Sequence, residues 1–219
     1  MPLHVLNNAL WFPPVEDATE DGLLAIGGDL SAERLILAYK KGIFPWYDGD
    51  IPLWWCPDPR FVMFPNELKI SKSMRPLLNK GAFKFTTNKA FSEVIKACKE
   101  TERKDQDGTW INEEVEAAYT DLHYSGFAHS AEVWQDNELV GGLYGIRIGN
   151  LFFGESMFSY VSNSSKYAYI KYVDLLKKEG VQLIDCQVYT EHLESLGARM
   201  IDRQEFLQYL KENETNLKR

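Results

Sequence analysis

The chain of 219 residues lacks the sequence devices that staple small folds together or hold proteins in membranes. Its three cysteines, Cys56, Cys98 and Cys186, are odd in number and widely spaced, and no Cys-x-x-Cys pair occurs. Neither a disulfide framework nor a zinc ribbon is expected, and a reducing cytoplasm is the natural setting. The four histidines form no His-x-x-x-His or His-x-His pattern, so no metal site is expected. No run reaches the ~18 apolar residues that cross a bilayer. Met1-Pro2-Leu3-His4 does not open a basic and then apolar leader. An excess of positive charge is missing too. Lys and Arg number 24 against 32 Asp and Glu, a net charge of −8. That argues against a histone-like polybasic binder but leaves room for a local basic patch. Gly22-Leu23-Leu24-Ala25-Ile26-Gly27-Gly28-Asp29-Leu30 is glycine-rich, yet it has neither Rossmann nor Walker A spacing. It reads as a tight turn.

What is present is ordinary for a globular protein of one or two domains: 45% hydrophobic and 26% charged residues. Composition shifts near residue 65. Residues 1–65 hold most of the prolines and four of the six tryptophans. They read as a loop-rich lobe around one helix, with Ser31 as N-cap, an apolar stripe of Leu35, Ile36 and Tyr39, and Lys40-Lys41-Gly42 as its end. Residues 66–219 read as alternating α and β: a strand over 83–87, a helix over 89–100 and a helix from Asn112 to Ser125. Strands over 128–135, 139–148 and 151–159 follow, joined at Asp136-Asn137 and Gly149-Asn150. A helix over 164–179, a β-rich run over 181–188, a short helix near 191–196 and a last helix from Asp202 complete it, with a polar tail expected to fray. The expected class is α/β (α+β), a mixed sheet with helices on its faces.

Three features carry chemistry. From Leu68 to Ser92 there is no Asp or Glu, while Lys69, Lys72, Arg75, Lys80, Lys84 and Lys89 all fall inside the window. This is either a phosphate-binding face or a solvated helix flank. Gly42–Tyr47 and Leu53–Arg60 set aromatic residues among prolines and read as loops. Their tryptophans either stack bases or plug the core of the small lobe. Finally, Asp185 and Gln187 lie two apart in an apolar strand, so they should share a face, and Glu155 sits on another strand. A carboxylate on a buried strand is costly unless it is paired or functional. The alternatives are a catalytic group and a structural network, with Arg147 or Lys166 as partner of Glu155. Cys186 and His192 form a conceivable thiol and base, but no hydrolase signature surrounds them.

Ten ordered blocks resemble the bacterial leucyl/phenylalanyl-tRNA–protein transferases over almost the whole chain. They are GLLAIGGDLS (22–31), AYKKGIFPW (38–46), LWWCPDPR (53–60), TWI (109–111), AHSAEVW (128–134), LVGGLYG (139–145), FFGESMFS (152–159), NSSK (163–166), IDCQV (184–188) and HLESLGA (192–198). The resemblance implies transfer of Leu or Phe from aminoacyl-tRNA to the α-amino group of proteins that begin with Arg or Lys, creating a bacterial N-degron. It implies a small N-terminal lobe joined to a larger GCN5-related domain, no metal, no acyl-CoA or other cofactor, and a cytoplasmic monomer without membrane contact.

By the same resemblance, Asp185 accepts a hydrogen bond or proton from the attacking amine, Gln187 positions Asp185 or the ester, and Glu155 helps hold the acceptor or the tRNA end. Trp46 and Trp110 flank the terminal adenosine. Leu143, Phe152, Tyr172, Leu176 and Ile184 line the aminoacyl pocket, and Lys72, Arg75 and Lys80 meet the acceptor stem. Strand alternation opposes one part of this, because Ile184 and Asp185 should point to opposite faces. The chain departs from the family pattern at Cys56, Ser164, Tyr172 and Leu176, and Pro76 and Asn79 stand where basic residues occur. An acyl-CoA-dependent acetyltransferase would need a pyrophosphate loop after Phe158, where the sequence has Ser-Tyr-Val-Ser-Asn-Ser-Ser-Lys. A non-catalytic tRNA-end binder would have no use for Asp185 and Gln187 on a buried strand. Cell-wall peptide transferases have longer chains with doubled domains.

Overall fold

The computed structural model describes residues 3–101 and 109–217. Two sheets organise them. The smaller has the order β1-β2-β4-β3, from β1 (His4–Leu6), β2 (Leu23–Gly27), β3 (Phe44–Pro45) and β4 (Leu53–Trp55). The larger has the order β11-β5-β10-β9-β8-β7-β6. Its strands are β5 (Arg60–Met63), β6 (Lys84–Thr87), β7 (Ala128–Gln135), β8 (Glu138–Ile148), β9 (Leu151–Ser159), β10 (Leu183–Gln187) and β11 (Arg199–Ile201). Within the larger sheet only β9 and β10 pair in parallel; the other neighbours are antiparallel. The architecture is α/β with a mixed sheet, as the alternation of elements implies.

The segments around proline differ from the sequence reading. Gly22–Leu30 contains β2, and the two aromatic segments contain β3, β4 and the start of β5. The glycines bound β2 instead of bending it: Gly22, Gly27 and Gly28 have positive φ at its two ends. Pro45 lies on the edge strand β3, where a missing N–H removes no ladder bond. The sheets change over between Trp55 and Arg60, so a strand from before residue 65 sits inside the larger sheet. The polar tail is helical through Leu217, and residues 218–219 lie outside the described residues.

The helices follow their signals more closely. They are α1 (Ala32–Lys40), α2 (Met74–Lys80), α3 (Phe91–Glu100), α4 (Glu113–Tyr124), α5 (Ser164–Lys178), α6 (Glu191–Ser195) and α7 (Arg203–Leu217). Asn112 caps α4, its side chain accepting from the Val115 N–H at 2.9 Å. Ser31 stands at the start of α1 without making the expected side-chain cap; its own N–H donates to Asp29 Oδ1 at 2.9 Å. The buried Glu132 carboxylate accepts from the Lys89 N–H at 3.2 Å and the Ser130 hydroxyl at 2.6 Å, so it serves the start of α3 across 43 residues of sequence.

The larger sheet separates two apolar cores. Alternate residues divide between them: Tyr144, Phe153 and Leu183 face the small lobe, α3, α4 and α7, while Leu143, Phe152 and Ile184 face α5 and its neighbours. Close approach of β8 and β9 depends on Gly145, where a Cβ would lie 2.2 Å from the Phe153 carbonyl oxygen and 2.5 Å from the Phe152 ring. Gly145→Ala therefore forces the two strands apart. The expected loss is about 1–3 kcal/mol in urea unfolding, with an unchanged midpoint counting against this packing argument.

Candidate active site

β9 and β10 stay paired only from Leu151↔Leu183 to Phe153↔Asp185. Each then carries a bulge against its outer neighbour. On β9, Gly154 pairs with Gly145 and Ser156 with Tyr144, which leaves Glu155 as the extra residue. On β10, Asp185 pairs with Val62 and Gln187 with Phe61, which leaves Cys186 as the extra residue. A bulge bends its strand and re-aims a side chain. Two of them just past the last shared pair drive the strands apart, and a cavity of about 500 Å³ opens there. Its walls come from both faces of the sheet: Phe44, Trp46 and Trp110 on the small-lobe side, Tyr169, Tyr172 and Leu176 from α5 on the other.

The residues expected at the aminoacyl pocket come together. Leu143, Phe152, Tyr172, Leu176 and Ile184 all line the cavity, and all are buried. Phe152 and Tyr172 meet edge to face at 5.2 Å. Trp46 and Trp110 also line it. Trp46 is 37% exposed and Trp110 only 7%, so one tryptophan is a wall and the other a rim. The Trp46 backbone is pinned on both sides: its N–H donates to Leu53 O at 3.0 Å and its carbonyl accepts from Trp55 Nε1 at 2.6 Å.

Asp185 is elsewhere. It does not line the cavity, and its expected common face with Gln187 does not exist, because the Cys186 bulge reverses the alternation. Asp185 follows Leu183 onto the small-lobe face. There Arg60 Nε donates to Oδ1 at 2.8 Å and Nη2 to Oδ2 at 2.7 Å, with both side chains 1% exposed. The guanidinium lies 4.7 Å from the ring centres of both Phe44 and Phe206. Asp185 Oδ1 also accepts from the Gln187 N–H at 3.0 Å. Gln187 sits at φ 58°, a left-handed conformation that costs a non-glycine residue of order 1–3 kcal/mol. The carboxylate thus holds the strained turn that places Gln187 on the cavity wall.

Glu155 does border the cavity. Its partners are neither Arg147, which pairs with Glu179, nor Lys166. Tyr39 Oη lies 2.8 Å from Oε1 and Tyr119 Oη 3.1 Å from Oε2, and the two hydroxyls are within hydrogen-bond distance of each other. Burial pushes the carboxyl up to about 8, against the stabilising hydroxyls. Tyr39 entered the sequence reading only as part of an apolar stripe, and Tyr119 and Arg60 carried no signal of a site. Their partners lie 36 to 125 residues away.

The remaining candidates divide. Lys72, Arg75 and Lys80 are exposed on α2 and the turn before it, and α2 packs on α5, one helix from the cavity. Cys186 and His192 both border the cavity. Burial pushes the thiol up to about 12, so it stays protonated and is a poor nucleophile. Burial and the nearby Lys166 lower the His192 imidazole, which is therefore neutral at pH 7.

A family model described as leucyl/phenylalanyl-tRNA protein transferase matches residues 62–211, and one for its N-terminal domain matches residues 28–58. The chain is 60% identical over 210 residues to a leucyl/phenylalanyl-tRNA–protein transferase of Flavobacterium johnsoniae, covering 95% of this chain and 99% of that one. With the protein of the same name from Christiangramia forsetii it shares 57% over 211 residues, covering 95% and 100%. Among solved structures, L-PGS from Bacillus licheniformis overlays 78% of this chain and 57% of its own, at 14% identity and a TM-score of 0.40. A GCN5-related N-acetyltransferase from Kribbella flavida overlays 75% and 58%, at 10% identity and a TM-score of 0.34.

Asp185→Ala leaves the Arg60 charge buried without a counter-ion, and a broken buried pair costs about 3–5 kcal/mol. Urea unfolding should show that loss. Arg60→Met combined with Asp185→Leu should recover most of it, because neither charge then needs a partner. A double variant no more stable than Asp185→Ala would refute the ion-pair account.

Proposed function

The chain belongs to the leucyl/phenylalanyl-tRNA protein transferase family, and from that premise we propose that it moves Leu or Phe from aminoacyl-tRNA onto the α-amino group of proteins beginning with Arg or Lys, marking them for degradation. It is an aminoacyltransferase whose substrates are an aminoacyl-tRNA and a protein. The observation that carries the finer reading is the cavity at the split between β9 and β10, apolar where α5 covers it and polar at Glu155 and Gln187. Trp46 and Trp110 flank the terminal adenosine. The Leu or Phe side chain enters among Leu143, Phe152, Tyr172, Leu176 and Ile184. Tyr172 and Leu176 set the width of that pocket.

The chemistry asks little of the protein. An aminoacyl ester is already activated, so amide formation runs downhill once the amine is neutral, and α-amino groups titrate near pH 8. Holding the amine against the ester carbonyl supplies about 7–11 kcal/mol of the barrier. Gln187, fixed by Asp185, offers a side-chain amide to the amine or the ester. Asp185 acts through Gln187 as a positioning residue, its carboxylate being occupied by Arg60. Lys72, Arg75 and Lys80 receive the acceptor-stem phosphates. The protein works as a cytoplasmic monomer. Three buried free cysteines fit a reducing compartment, and among the described residues no helix is long and apolar enough to cross a membrane.

Two measurements test this reading. With leucyl-tRNA carrying labelled leucine, and peptides differing only in N-terminal Arg or Met, label should pass to the Arg peptide alone; equal labelling would remove the acceptor rule. Lys72→Glu with Arg75→Glu should raise KM for charged tRNA and reduce the dependence of binding on salt by about one to two counterions. An unchanged salt slope would return these residues to a solvated face.

A further inference from the structure

Three groups from three elements close a ring beside the cavity. Tyr39 comes from α1, Tyr119 from α4 and Glu155 from the bulge of β9, and both tyrosines are fully buried. Each side of the triangle is a hydrogen bond: Tyr39 to Glu155 at 2.8 Å, Tyr119 to Glu155 at 3.1 Å, and Tyr39 to Tyr119. Every such bond needs one proton, and each hydroxyl carries one. When Glu155 is ionised, two protons must serve three bonds. Both tyrosines then donate to the carboxylate, and the two hydroxyl oxygens face each other with no proton between them. One more proton completes the cycle. The carboxyl O–H donates to one tyrosine, that hydroxyl donates to the other, and the second hydroxyl returns the bond to the far carboxyl oxygen.

We propose that Glu155 rests as a carboxylic acid in this closed ring with Tyr39 and Tyr119, and that the ring carries the proton which must travel from the acceptor amine to the departing ribose oxygen. The second half rests on the transfer reading above. The step balances. The neutral amine attacks the ester carbonyl, the C–N bond forms, and the C–O bond to the ribose breaks. The leaving oxygen takes the proton of Glu155, the nitrogen gives up one proton to restore it, and nothing else is consumed. Placement favours this route. Tyr119 packs against Trp110, with ring centres 6.3 Å apart, and Phe152 of the apolar pocket lies three residues from Glu155 on the same strand. The ring thus borders both the proposed adenosine site and the proposed aminoacyl site.

The surroundings agree. The charged groups facing Glu155 are Asp185, which favours the acid, and Arg60, which opposes it; Tyr144 packs edge-on against Tyr119 at 5.7 Å. Burial outweighs the hydroxyls, and the carboxyl titrates at about 8, close to an α-amino group. Both tyrosines are pushed well above their ordinary value, so they relay protons without ionising.

Infrared difference spectra of the free protein provide the first test. At pH 7 the wild type should show a buried carboxylic acid carbonyl band that is absent from Glu155→Gln and titrates away near pH 8. Single-turnover transfer from leucyl-tRNA to an Arg-initiated peptide provides the second. The wild-type rate should fall above about pH 8 as the acid is lost. Glu155→Gln should be at least about 100-fold slower, with little change in KM for charged tRNA and no such falling limb. Tyr119→Phe keeps the aromatic packing but opens the ring, and should also lower kcat more than KM. No band at pH 7, or a Glu155→Gln rate near wild type, would overturn the proposal. A band without transfer by the wild type would instead overturn the transfer reading and leave the resting acid standing.

Discussion

The ion pair between Arg60 and Asp185 is the constraint from which the rest of the site follows. Arg60 belongs to the first strand after the changeover between sheets, and Asp185 to the last residue of β10 still paired with β9. The guanidinium lies between Phe44 of the small lobe and Phe206 of α7, so one side chain ties both sheets and the last helix together. A buried pair of this kind is a poor source of stability, because desolvating two charges offsets most of their attraction. Its return here is register. The carboxylate that satisfies Arg60 also takes the Gln187 N–H, and this holds the left-handed turn beyond which β10 leaves β9. An apolar pair of equal volume could fill the space without fixing that turn.

Two carboxyl groups on neighbouring strands are thereby given different partners. Asp185 has a bidentate arginine and a backbone N–H within the core. Glu155 has burial, which favours the acid near neutral pH and outweighs the two hydroxyls that oppose it. Asp185 is not among the residues lining the cavity, and it holds the Gln187 backbone. Glu155 borders the cavity.

Much of this was legible in sequence, and the misses share a cause. Helices with a period of 3.6 and a capping residue, such as the one after Asn112, fell within a residue or two of their expected ends. The long meander strands did as well. Strands of two to five residues beside proline did not, because Pro45 and Pro59 read as breaks when their strands lie at an edge or begin after the ring. The expected pocket residues, Glu155 and the two tryptophans all line one cavity. The common face of Asp185 and Gln187 failed because period-2 reasoning assumes an unbroken ladder, and the Cys186 bulge is set by Arg60, 125 residues away in sequence. The Tyr39–Tyr119 contact spans 80 residues and left no local pattern at all.

The placement of the cavity also follows from what the reaction requires. Peptide-bond formation from an activated ester needs no metal, no covalent intermediate and no strong base. It needs two large reactants held at one carbonyl with water kept away. A gap inside a sheet meets that need better than a surface cleft, since ladder hydrogen bonds fix its walls up to the point of separation and apolar cores close it on both faces. The two bulges make such a gap without giving up the sheet. They also place the polar groups at its edge: Glu155 is one bulged residue, and Gln187 follows the other. Sites built on strands are held more tightly than sites on loops. Here the strand ends are the site, and the Arg60–Asp185 pair keeps them in place.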